Sequence, residues 1–153
     1  MITLQDKVSI NVKAPVVFEW FEHIDENYLL WHKDHISCHY ENGDSLKEGA
    51  VIHVQEYLHG KLHKLKFRIT KVINNHAFEY RVMSGVSGSF VFIENEDGTD
   101  VIAELRFGYK IPLIGTLIDM LSRVVFSTQL KALKQHMKEE GENLRNLLEY
   151  SNS

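Results

Sequence analysis

Between His35 and Tyr109 the sequence breaks into short runs of alternating apolar and polar residues. Turn signals divide them: "NGD" from residue 42, "HGK" from 59, "NNH" from 74 and "EDGTD" from 96. An alternation of period two buries one face of a strand, and Asn, Asp and Gly supply the backbone conformations that hairpin turns need. The pattern predicts strands near 35–41, 50–58, 62–72, 77–84, 87–95 and 100–109, joined as successive antiparallel hairpins. Ile2 to Val12 alternates like one further strand. In "APVVFEWFEHIDENYLLW", Pro15 suits a first helical turn, and Val17, Phe18, Phe21, Ile24, Tyr28 and Trp31 recur at steps of three and four. That spacing predicts two short helices joined near Asp25. After Pro112 comes a segment rich in helix formers, with an apolar stripe through Phe126, Leu130, Leu133, Met137, Leu144 and Leu148. It predicts a long C-terminal helix, eased at Gly141.

Strand, two helices, a meander of strands and one long helix is an α+β order. The sheet has to curve around the last helix to bury its stripe, and such a wrap leaves a cavity between them. With 153 residues, 44% of them hydrophobic, the chain suffices for one core, so a single domain spanning 1–153 is expected. The net charge of -4, with acidic and basic residues interspersed, gives no electrostatic footprint for nucleic acid or an anionic membrane. The single cysteine, Cys38, excludes an intramolecular disulfide, and "MITLQDKVSI" lacks the basic start and apolar run of a signal peptide. No run approaches the roughly eighteen apolar residues of a membrane span. These features point to a soluble, cytoplasmic protein, and a homodimer is compatible with them.

Two places on this scaffold put polar groups on apolar faces. In "AVIHVQEYL", alternation sets Glu56 on the face of Ile52, Val54 and Leu58. A carboxylate there is costly unless it is paired, protonated or bound to a cation; the competing reading is an edge position with Glu56 in water. On the long helix, His136 and Glu140 lie one turn apart within the stripe of Leu133, Met137, Leu144 and Leu147, while Lys134, Lys138 and Glu139 form the solvated side. Side chains at i and i+4 can share one metal ion, although a His/Glu pair at that spacing is common on helix surfaces. Imidazole and carboxylate are suitable ligands for Zn²⁺, with a position left for water or substrate.

The stretch "YLLWHKDHISCHY", residues 28 to 40, offers a third ligand, from His32 or His35. Strict alternation groups His35 with Ser37 and His39, opposite Ile36, Cys38 and Tyr40, which would turn His35 outward if the apolar set faced the cavity. His35 stands at the irregular start of the strand, where phase is not yet fixed. His63 shares an inward face with Leu65, Phe67 and Ile69. "GVSG", residues 85–88, lacks the rest of a phosphate-binding loop and is expected to loosen a strand for curvature. Cys38 reads as a small core residue rather than a nucleophile.

The element order, together with "IPLIGTLIDMLSRVVFSTQLKALKQHMKEEGENL", resembles the START-related helix-grip superfamily, also called SRPBCC or polyketide-cyclase-like. The resemblance covers nearly the whole chain. It implies a curved antiparallel sheet wrapped around the C-terminal helix, with a cavity for a small hydrophobic or aromatic molecule. Within that superfamily, "NYLLWHKDHI" resembles a Tyr, Trp-His and His stretch of the zinc-dependent phloretin and diacetylphloroglucinol hydrolases, which cleave an aryl-ketone carbon–carbon bond. The chain is shorter than those hydrolases, and Lys33 stands where they carry proline. Carried over, the resemblance implies a Zn²⁺ held by His35 (His32 as alternate), Glu56, His136 and Glu140. It also implies Tyr28, His63 and Tyr80 as groups for proton transfer or phenol binding. A zinc-dependent hydrolase is one expectation. The others are a non-catalytic carrier of a hydrophobic ligand or lipid and a metal-free polyketide cyclase or dehydratase.

Overall fold

The computed structural model describes residues 2–58, 60–83, 85–108 and 116–151, with side chains at all of these except 83, 116–126 and 151. The elements are β1 (Ile2–Ile10), α1 (Ala14–Glu22), α2 (Ile24–Trp31), β2 (His35–Tyr40), β3 (Val51–Leu58), β4 (Lys61–Ile73), β5 (Ala77–Met83), β6 (Val86–Asn95), β7 (Gly98–Phe107) and α3 (Thr116–Ser151). Each predicted strand is present within one to two residues of its expected limits. The expected strand ends at residues 84 and 109, the helix start at Pro112 and the stripe residue Phe126 lie outside the described residues or side chains.

The strands form one antiparallel sheet in the order β1-β7-β6-β5-β4-β3-β2. The first two strands in sequence are therefore its two edges, joined by α1 and α2. In α1, Pro15 sits in the first turn, and Ala14, Val17, Phe18 and Phe21 face inward, the i, i+3, i+4, i+7 stripe of an amphipathic helix. In α2 the buried residues are Ile24, Tyr28 and Trp31. The helices part at His23 (φ -99°, ψ 32°), two residues before the expected break. Phe18 and Phe21 are each 2% exposed, and such burial contributes roughly 2–3 kcal/mol per side chain relative to exposure.

The curved sheet wraps α3, as the sequence pattern predicts. Met137, Leu144 and Leu148 carry the buried stripe. The helix runs unbroken through Gly141, contrary to the expected easing. The glycine has a tertiary cause: a Cβ at 141 would stand 2.9 Å from Asp6 Oδ2 and 3.5 Å from Val8 Cβ on β1. A glycine costs the helix about 1 kcal/mol relative to alanine. Here it lets helix and edge strand approach closely.

Candidate functional site

Between sheet and α3 lies a cavity of about 560 Å³, in the size range of small-molecule sites. Ile52, Val54, Glu56 and Leu58 all line it, as do His63, Leu65, Phe67 and Ile69, so the strand phases read from the sequence hold on β3 and β4. Most of the wall is apolar or aromatic. At one end it is not.

There, side chains from β2, β3 and α3 converge. His35 Nε2 lies 3.3 Å from His136 Nε2, 3.0 Å from Glu140 Oε1 and 3.6 Å from Glu56 Oε2. His136 Nε2 lies 2.7 Å from Glu140 Oε1 and 3.6 Å from Glu56 Oε2. All four donor atoms fall within 4.8 Å of one another. Donors about 2.05 Å from a tetrahedral zinc are roughly 3.3 Å apart, so these separations bracket the edge of a zinc coordination sphere. His35, His136 and Glu56 are 4%, 6% and 9% exposed.

The inward turn of His35 comes from a β-bulge. His35 pairs with Glu56 but Ser37 pairs with Gln55, so Ile36 is an extra residue on β2 and is pushed outward, 42% exposed. The bulge resets the phase, which lets His35 face the cavity on the same side as Cys38 and Tyr40. Strict alternation would have turned it away.

Tyr28 fixes two members of the cluster. Its carbonyl oxygen accepts a hydrogen bond from His35 Nδ1–H at 2.8 Å, which aims Nε2 into the cluster, 3.0 Å from Glu140 Oε1. Its ring stacks on the His35 imidazole at 3.8 Å, and its hydroxyl donates to Glu56 Oε2 at 2.8 Å. Burial and the neighbouring Glu56 carboxylate push the phenol far above its usual pKa, so it stays a donor. The geometry gives Tyr28 a positioning part.

His32, the alternate ligand, is also buried, and its ring lies 4.2 Å from that of His136. A donor atom of His32 comes within 4.8 Å of His35 and His136. Both its nitrogens are engaged elsewhere: Nδ1 accepts the Asp34 N–H at 3.0 Å, and Nε2–H donates to Glu139 Oε2 at 2.7 Å. Glu139 is thus not simply solvated, as its place on the helix wheel suggested. Of the two histidines, His35 turns Nε2 toward Glu56, His136 and Glu140, whereas His32 turns its Nε2 to Glu139.

Two contacts absent from the sequence reading lock α3 in place beside the site. The Trp31 indole N–H donates to the Glu140 carbonyl at 2.9 Å, and the Asn143 amide donates to the Trp31 carbonyl at 2.9 Å. They join the end of α2 to the helical turn that carries Glu140. No sequence signal reveals them, because the partners are more than a hundred residues apart.

The cluster is electrically tense by itself. Burial pushes the Glu140 carboxyl up, but hydrogen bonds from His136 and His35 outweigh it and hold the pKa at about 2. Burial pulls His136 down, yet the hydrogen bond and charge of Glu140 and the charge of Glu56 leave it above the ordinary value. The site thus holds Glu140 as a carboxylate with positive charge beside it. One Zn²⁺ neutralises two carboxylates and accepts two neutral imidazoles, so the donor set fits that ion in number, type and spacing.

His63 and Tyr80 line the cavity outside the cluster, His63 directly across the β3–β4 ladder from Glu56. Cys38 is half-buried, and burial pushes its thiol up to about 12, which fits packing rather than nucleophilic chemistry. Among the described residues no helix is long and apolar enough to cross a membrane.

No protein-family profile and no curated protein matches the chain. Solved structures do match along almost its whole length. The protein TTHA0849 from Thermus thermophilus superposes with a TM-score of 0.72 at 16% identity, covering 99% of this chain and 100% of its own. A Polyketide_cyc-like protein, Cgl2372 from Corynebacterium glutamicum, gives 0.66 at 16% identity, covering 99% and 93%. The di-domain ARO/CYC BexL of the BE-7585A biosynthetic pathway gives 0.71 at 14% identity, with 95% of this chain matching 49% of that one. At such identities the likeness is one of fold, and that fold is the helix-grip fold.

Proposed function

We propose that this protein binds a small aromatic or polyketide-like molecule in the cavity and, with a zinc ion held by His35, Glu56, His136 and Glu140, hydrolyses a carbon–carbon bond next to a ketone. The observation that carries the reading is the convergence of four buried ligand atoms, at zinc-like spacing, on one end of an otherwise apolar cavity. The apolar wall orients the ring by shape and excludes water. Tyr28 holds Glu56 by its hydroxyl and His35 by its carbonyl, so the ligand geometry is set before substrate arrives. Zinc in such a site supplies Lewis acidity toward a carbonyl oxygen or an acidified water. His63 stands across from Glu56 on the cavity wall, where its imidazole can deliver a proton to the leaving ring carbon. The balanced outcome puts the oxygen of water on the former carbonyl carbon, as a carboxylic acid, and a proton on the ring.

A second reading, a metal-free carrier or cyclase, is favoured by the solved structures of the same fold described as ARO/CYC and Polyketide_cyc-like. One experiment separates the two. Untagged protein, zinc-loaded or chelated, is incubated with a panel of hydroxylated aryl ketones, and carboxylic acid release is followed by chromatography. The proposal expects release only from the zinc-loaded protein, lost in Glu56→Ala. Tight binding without release would make the protein a carrier. Turnover that resists chelation would favour metal-free chemistry.

A further inference from the structure

Gly88, the last residue of the "GVSG" segment, has a tertiary cause that curvature does not supply. Its backbone is outside the left-handed region, so no conformational need demands glycine. It pairs in register with Tyr80 on β5. A Cβ built at 88 would stand 2.5 Å from both Cζ and Oη of Tyr80 and 2.8 Å from the Glu104 carbonyl oxygen. Real Cβ atoms do not come so close, so any side chain here would displace the Tyr80 ring. The phenol end of Tyr80 thus lies in a notch that only glycine leaves open.

The hydroxyl in that notch has no hydrogen-bond partner among the described residues, although Tyr80 is only 9% exposed and lines the cavity. The hydroxyl is therefore free to donate into the cavity, whereas those of Tyr28 and Tyr40 are both engaged within the protein. Burial and the charges of Glu140 and Glu56 raise the phenol pKa, so it remains protonated and able to donate. Phe67, at a centroid distance of 5.2 Å, and Phe78 and Phe90 surround the ring with aromatic surface.

We propose that Gly88 and Tyr80 form a recognition notch, in which the Tyr80 hydroxyl donates a hydrogen bond to an acceptor oxygen on an aromatic ligand in the cavity. This rests on the cavity-binding part of the function proposed above and not on the metal. The chemical class it selects is an aromatic ring bearing a carbonyl or ether oxygen, over its hydrocarbon analogue.

The test uses acetophenone and ethylbenzene, of nearly equal shape and differing in one acceptor oxygen, titrated against wild type and Tyr80→Phe with ligand-observed NMR. Loss of one neutral hydrogen bond predicts that Tyr80→Phe binds acetophenone roughly five- to tenfold more weakly, while ethylbenzene binding is unchanged. Equal effects on both probes, or none on either, would overturn the notch while leaving the cavity reading intact. Failure of both probes to bind wild type would overturn the cavity reading and the notch with it. Gly88→Ala, where circular dichroism shows it folded, is expected to weaken both probes because the displaced ring occupies their space. Unchanged binding of both in that variant would also overturn the proposal.

Discussion

The two ends of the cavity are built on opposite principles. At the histidine–glutamate end the side chains are held: Tyr28 grips His35 and Glu56, Trp31 and Asn143 lock the turn that carries Glu140, and His32 with Glu139 packs behind His136. Away from that cluster the wall is mostly Phe, Leu, Ile and Val, with the Tyr80 hydroxyl standing without a partner among the described residues. Rigid polar geometry suits chemistry, which loses rate with small misplacements, whereas an apolar wall with one directional donor suits recognition by shape. The proposed binding and the proposed chemistry thus rest on different residues, and substitutions at the two ends should have separable effects.

The largest separation is expected between Glu56→Ala or His136→Ala and Phe67→Ala. The first two should abolish zinc binding in elemental analysis of untagged protein, while Phe67→Ala should leave its zinc content unchanged. Next is Tyr28→Phe, which keeps the ring stacked on His35 and removes only the hydrogen bond to Glu56. Competition with a chelator dye should show zinc affinity lowered about 10- to 100-fold, as for other groups that orient metal ligands. Unaltered affinity would mean that Glu56 needs no such support. At the apolar end, Phe67→Ala should weaken acetophenone binding roughly tenfold through lost apolar contact, read by NMR titration.

The smallest effect is on stability against pH in the metal-free protein. Glu140 titrates in the fold below its ordinary 4.5, so its contribution is complete above that value and is lost as pH falls toward about 2. His136 titrates above its ordinary 6.5, so its contribution is complete below 6.5 and is lost as pH rises through the raised value. Thermal melting of the metal-free protein should therefore be most favourable between these limits and decline by a few degrees on the alkaline side. Zinc-loaded protein should not show the alkaline decline, because its imidazoles are already neutral ligands. An alkaline decline equal in both forms would separate His136 from the metal.

Much of the apolar end was legible in the sequence, because alternation along β3 and β4 and the stripe on α3 are local patterns. Glu56 and the His136/Glu140 pair could be placed for the same reason. His35 could not be, since the bulge at Ile36 inverts the strand phase, and choosing it over His32 depends on Glu139, 107 residues away. Gly88 and Gly141 misled in one direction: each looked like a flexible point in its own element, and each is a close approach to another element. Tertiary contacts of that kind leave no periodic trace.

In the proposed four-residue zinc site it is His35, and not His32, that supplies the first histidine ligand. The most direct measurement is the zinc content of untagged wild type, His35→Ala and His32→Ala proteins, determined by mass spectrometry of the metal after identical purification. About one zinc per chain is expected in wild type and His32→Ala, and none in His35→Ala. Metal-free wild type, or zinc retained in His35→Ala and lost in His32→Ala, would contradict it.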